Sequence, residues 1–130
     1  MKAVIYEVPA LDHDALMLKK YGQQVSPNGK LERRIAWNLL QHLETGGWTV
    51  FELDDSDEVT QVTDSKQAME LIFNLDQADI SVGNADRSCT HMIRLILGNG
   101  IDMISDYTYS EGDADGFEAL MSDFDAEACA

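Results

Sequence analysis

Positive charge is scarce in this sequence after residue 50, and cysteine and proline are scarce throughout, with two of each. Each scarcity excludes something. Cys89 and Cys129 alone build no disulfide framework of the kind small secreted domains depend on, so both are expected as reduced thiols. No apolar run approaches the roughly 20 residues of a membrane span. The opening Met1-Lys2-Ala3-Val4-Ile5-Tyr6-Glu7 meets a charge too early for a secretory hydrophobic region. The cytoplasm is the expected compartment.

Catalytic signatures are missing as well. His13, His42 and His91 lie on different expected elements without ligand spacing, so neither metal nor cofactor is expected. Gly98-Asn99-Gly100 lacks the lysine and helix of a phosphate loop. Cys89 and His91 share a face if extended, but the acidic setting disfavours a thiolate, and a buried or edge cysteine is the simpler reading. Glu111 to Phe117 resembles the start of a calcium loop, yet its twelfth position is Ser122 rather than a bidentate glutamate. A turn and a helix cap account for the same residues.

What the chain has in abundance is carboxylate. Its 130 residues carry 9 basic and 24 acidic side chains, and 9 − 24 = −15. Six basic groups (Lys2, Lys19, Lys20, Lys30, Arg33, Arg34) against five acids give residues 1 to 50 a charge of +1. Three (Lys66, Arg87, Arg94) against nineteen give residues 51 to 130 a charge of −16. Solubility needs a net charge of only roughly 2 to 8 in magnitude. A salt-adapted composition would spread the acids evenly, which this chain does not do. Direct binding to nucleic acid or an anionic membrane is disfavoured; a basic protein surface is favoured.

With 45% hydrophobic residues, the chain is long enough for one domain over 1–130, its tail frayed from about residue 125. Alternation over residues 2 to 8 suggests an edge strand stopped by Pro9, and Asp12 or Asp14 is placed to cap a short helix ending before Gly22. Ser26-Pro27 opens a longer helix with Leu31, Ile35, Leu39 and Leu43 on one stripe, ending at Gly46-Gly47. Strands are expected over 48–53 and 58–63, then a helix opened by Asp64 to Gln67. Further strands follow over 78–82, 91–97 and 101–109, the last two joined by Gly98-Asn99-Gly100 as a hairpin. Asp115 with Glu118 opens a final helix. The order β-α-α-β-β-α-β-β-β-α, with short links, implies an α+β fold: a mainly antiparallel sheet with helices packed on one face.

Asp54, Asp55 and Asp57 crowd one turn, Asp102 and Asp106 fall at alternate positions of the last expected strand, and Asp113 and Asp115 precede the final helix. Together they are the candidate partner-binding surface, one continuous negative face suited to the arginine-rich cleft of a nucleic-acid-binding protein. For any single cluster, a solvated surface is the simpler reading. The alternative function is structural: a second copy pairing through an exposed strand edge. An enzyme with an unrecognised site is third.

The stretch Leu97 to Tyr107, taken with the Trp48 strand and the Leu71–Asp76 helix end, resembles small acidic proteins encoded by phages and other mobile elements. That resemblance covers about the last two-thirds of the chain and transfers no active site. It implies a setting in which such proteins inhibit host defence, as anti-CRISPR or anti-restriction proteins that imitate DNA.

Overall fold

A computed structural model describes residues 5–130. Helix α1 (Asp12–Tyr21) and helix α2 (Pro27–Thr45) precede β1 (Thr49–Asp54), β2 (Val59–Gln61), α3 (Ser65–Ile72), β3 (Gln77–Gly83), β4 (Thr90–Ile96), β5 (Ile104–Tyr107) and α4 (Phe117–Asp123). The sheet runs β2-β1-β3-β4-β5, every pairing antiparallel. The α+β class and the element order therefore hold, with one difference at the start. Residues 5 to 8 pair with no strand; instead Asn38 of α2 clamps the Tyr6 backbone, accepting from its N–H at 2.6 Å and donating to its carbonyl at 3.1 Å. The rest of the expected first strand lies outside the described residues.

Helix α2 begins and ends where its sequence punctuation says it should. Ser26 Oγ accepts from Gly29 N–H at 3.0 Å, satisfying a donor that the helix start leaves without a partner. At the other end Gly47 takes φ +87°, and Trp48 N–H reaches back to the Leu43 carbonyl at 2.9 Å. The stripe between these caps buries Ile35, Leu39 and Leu43 completely.

That stripe packs on one sheet face. Ala78, Ile80 and Val82 of β3 are buried, as are His91, Ile93 and Leu95 of β4, and both sets alternate with more exposed residues. Helices α2 and α3 pack against each other and against β1 on this side. Phe117 and Met121 of α4 and Met103 before β5 complete the core. Among the described residues, no helix packs over the other sheet face.

Two caps come from distant parts of the chain. Leu11, not an aspartate, stands at the N-cap of α1 and offers no side-chain bond. The Glu70 carboxylate of α3 accepts from Asp12 N–H at 2.5 Å and His13 N–H at 3.0 Å in its place. Buried Glu32 of α2 does the same for the β4–β5 connection, accepting from Gly98 N–H at 2.7 Å and Gly100 N–H at 2.9 Å. That connection is longer than a tight hairpin turn, because Gly100–Asp102 coils into a 3-10 turn before β5 starts.

The end of the chain is tied down rather than frayed. Ala126–Cys129 forms a 3-10 turn, the Cys129 side chain is buried, and Arg34 Nε donates to the Cys129 carbonyl at 2.7 Å. Burial pushes the Cys129 thiol pKa up, so this sulfur stays protonated and inert.

Candidate functional site: the uncovered sheet face

Strand register decides which carboxylates lie together. Asp54 of β1 pairs with Asp79 of β3, Asp79 with Arg94 of β4, and Arg94 with Asp106 of β5. These four residues form one row straight across the sheet. All sit at positions opposite the core, as the alternation with Leu53, Ile80 and Ile93 requires. With strands about 4.8 Å apart, the row spans roughly 14 Å. Glu52 stands in the next row beside Ser81 and Met92.

Arg94 is the cation inside this row. It holds Asp79 in a two-pronged ion pair, Nε to Oδ1 at 2.9 Å and Nη2 to Oδ2 at 3.2 Å. The hydrogen bond and the charge of Asp79, with the more distant charge of Asp106, hold the guanidinium more firmly protonated than usual. Four carboxylates (Glu52, Asp54, Asp79, Asp106) against one guanidinium leave a local charge of 1 − 4 = −3. Arg87 lies at the opposite end of the face, near bare Gly83, its guanidinium stacked 4.2 Å from the Phe51 ring centroid.

The seven expected site residues separate into different uses. Asp54 and Asp106 lie on the open face. Asp55 and Asp57 lie in the β1–β2 turn, where Asp55 Oδ1 accepts from Asp57 N–H at 2.9 Å and Glu58 N–H at 2.8 Å. Those two N–H groups, Glu58 first, lower the Asp55 pKa. Asp102 does not share a face with Asp106, because it belongs to the 3-10 turn and not to β5.

Asp113 and Asp115 are drawn into the fold. Asp113 caps α4, accepting from Glu118 N–H at 2.8 Å and Ala119 N–H at 3.1 Å, the role the sequence assigned to Asp115. Asp115 turns inward to His91 Nε2 at 2.6 Å, and both side chains are under one-tenth exposed. Ser110 Oγ donates to the same carboxylate at 2.8 Å, and Phe117 N–H donates to its other oxygen at 3.1 Å. His91, first among these partners, holds the Asp115 carboxyl down at a pKa of about 2. The His91 ring stacks on Phe117 at 4.4 Å and lies 5.4 Å from Trp48. Its other nitrogen faces Thr108 Oγ1 at 3.2 Å, so neither nitrogen is left for Cys89.

The sequence reading missed Asp79 as a member of the face and His91 as the partner of Asp115. Asp79 had a readable signal, since it lies between Ala78 and Ile80 in an alternating strand. Comparison with protein-family models, with curated proteins and with solved structures finds no match to this chain.

Proposed function

We propose that the open sheet face is a non-enzymatic binding surface, by which the chain occupies the basic, nucleic-acid-binding surface of another protein. The observation that carries this reading is the row Asp54, Asp79, Arg94, Asp106, held in register across four strands, with no element among the described residues covering it. A sheet places carboxylates at fixed spacing with little conformational freedom left to lose, so ordering them against arginines costs less than ordering a loop. Arginine forks match carboxylates in shape, and a concentrated negative field raises the rate of encounter with a basic cleft. An inhibitor of the anti-CRISPR or anti-restriction type, active in the cytoplasm, is the setting suggested by the resemblance to small acidic phage proteins.

Pairing with a second copy through a strand edge is the weaker reading. The edge strands are only three and four residues long, β5 carries Asp106, and each copy brings a net charge of −15.

The test is binding of a fluorescent nona-arginine peptide across a salt series, with two variants of equal charge change. Asp54→Asn/Asp79→Asn/Asp106→Asn removes three charges from the face. Glu111→Gln/Asp123→Asn/Glu127→Gln removes three elsewhere. The reading expects the first variant to lose at least about tenfold more affinity, with a visibly shallower salt dependence. Equal losses in both variants would reduce the acids to a diffuse coat and end the proposal.

A further inference from the structure

Beside the acidic row lies an arrangement with a different chemistry. Thr108 follows β5, is exposed, and lines a depression of about 150 Å³ together with Asp79, Met92, Arg94, Asp106 and Tyr107. Its hydroxyl is the outer end of a chain of polar groups running into the core: Thr108 Oγ1 to His91 Nδ1 at 3.2 Å, then His91 Nε2 to Asp115 Oδ2 at 2.6 Å. We propose that Thr108 is an acyl-accepting nucleophile, served by His91 as general base and Asp115 as positioning residue, toward small activated esters seated in this depression.

Proton bookkeeping along the chain is self-consistent. Asp115 is acceptor-only when ionised, so a neutral His91 places its proton on Nε2 and leaves Nδ1 as a lone pair. Thr108 then directs its O–H at that lone pair. One oxygen lone pair of Thr108 accepts from Met92 N–H at 2.9 Å, fixing the rotamer, and the second is left for attack. Hydroxyl and carboxylate occupy the two imidazole nitrogens in the reverse sense to the familiar hydrolase triad. Either nitrogen of a neutral imidazole is a base of suitable strength when the other carries the proton, so this reversal does not weaken the relay. The hydroxyl-to-imidazole separation is at the long end of base catalysis, and such bonds often shorten only when substrate is bound.

In the step itself, the Thr108 Oγ electron pair forms a bond to the ester carbonyl carbon while its proton passes to His91 Nδ1. Collapse of the tetrahedral adduct breaks the bond to the leaving oxygen, which departs as an alcohol by taking the proton from His91, or as a phenolate, the imidazolium then releasing its proton to solvent. The imidazolium formed meanwhile is stabilised by the Asp115 carboxylate, which stays ionised with its pKa near 2. Water then gives a proton to the neutral His91 Nδ1 as its oxygen attacks the acyl-threonine carbonyl carbon, and collapse releases the carboxylic acid while Thr108 Oγ takes that proton back. Met92 and Tyr107 provide the apolar wall for a leaving group, and the carboxylates of Asp79 and Asp106 exclude anionic esters. The same signs of a site, a depression with converging polar groups and a strongly displaced titration, occur at functional centres generally.

The experiment uses the full chain and p-nitrophenyl acetate, following phenolate release and locating the acetyl group by peptide mass spectrometry. Expected is phenolate release with an acetyl on the Thr108 peptide. Thr108→Val, which keeps the shape and removes the hydroxyl, should lower the release rate by at least roughly a hundredfold, and Thr108→Ser should restore it. Asp115→Asn should lower it too, and Asp115→Glu, which keeps the carboxylate, should recover part of the rate. Acetyl found only on lysines or the amino terminus, or Thr108→Val reacting at the rate of the parent, would overturn the assignment. Neither result bears on the salt-dependent binding test, which reads other residues.

Discussion

Replacing Asp115 by asparagine tests whether the buried pair with His91 is a stabilising clamp or an incidental contact. The carboxyl's ordinary pKa of 3.8 is held down to about 2 in the folded chain, chiefly by the hydrogen bond from His91. At about 1.4 kcal/mol per tenfold, that lowering is worth roughly 2 kcal/mol of stability at neutral pH. The sign follows from the direction. A carboxylate with a depressed folded value contributes fully above 3.8 and loses its contribution as pH falls through about 2. Asparagine carries one oxygen where the structure uses two, one for His91 and Ser110 and the other for Phe117 N–H, so at least one bond is lost. Asp115→Asn is therefore expected to unfold at a urea concentration lower by about 1 M at pH 7. Far-UV circular dichroism follows the transition, and Trp48, stacked near His91, adds a local fluorescence signal. At pH 3 the deficit should shrink to roughly half, because the parent protein has by then lost about 1 kcal/mol itself. A deficit under about 0.5 kcal/mol at pH 7, or one unchanged at pH 3, would refute the reasoning.

Two further outcomes follow from the same structure. Glu32→Ala strands the buried N–H of Gly100, takes the acceptor from the more exposed N–H of Gly98 and opens a void under the β4–β5 connection, so thermal unfolding should register a loss of about 2 to 4 kcal/mol, with Glu32→Gln recovering part of it. Raising sodium chloride from about 20 mM to about 500 mM should raise the melting temperature by several degrees, because salt screens self-repulsion at a net charge of −15; no rise would mean that the carboxylates are already locally compensated.

How far the fold could be read from the sequence depended on how local the cause was. Helix α2 was legible at both ends, since Ser26, Pro27, Gly46 and Gly47 act within a few residues of the structure they terminate. Strands β3 and β4 were legible because alternation is also local. Errors fell where the deciding partner is remote. Glu32 reads as one more helix-surface acid, yet it serves a connection 66 to 68 residues away. Glu70 caps α1 from 57 to 58 residues away, so the aspartates at that helix start were credited with a role they do not perform. Asp102 was placed on a strand because Gly100-Ile101-Asp102-Met103 alternates, whereas Gly100 at φ +59° turns the chain before β5 begins. His91 and Asp115 are 24 residues apart, and a lone buried histidine announces no partner.

The charge map acquires a direction only through the fold. In the sequence, the dense run of acids from Glu111 onward looks like the strongest negative feature. Folding consumes part of it, because Asp113 and Asp115 are spent on backbone N–H groups and on His91. A carboxylate holding such donors keeps its charge but offers fewer lone pairs to a partner's arginine. The sheet gathers Asp54, Asp79 and Asp106 from three separate segments into one row, in which Asp79 holds Arg94 while Asp54 and Asp106 each accept one backbone N–H and keep a second oxygen for a partner. Meanwhile Lys19, Lys20, Lys30, Arg33 and Arg34 all fall on α1 and α2, in the helical layer behind the core. Asp12, Asp14, Glu32 and Glu44 on the same two helices offset all but one of these cations, so α1 and α2 are close to neutral, whereas the open face sets four carboxylates against Arg94. On the proposed reading, a basic cleft is attracted to the sheet more strongly than to α1 and α2, so the field that speeds encounter also favours the face that docks.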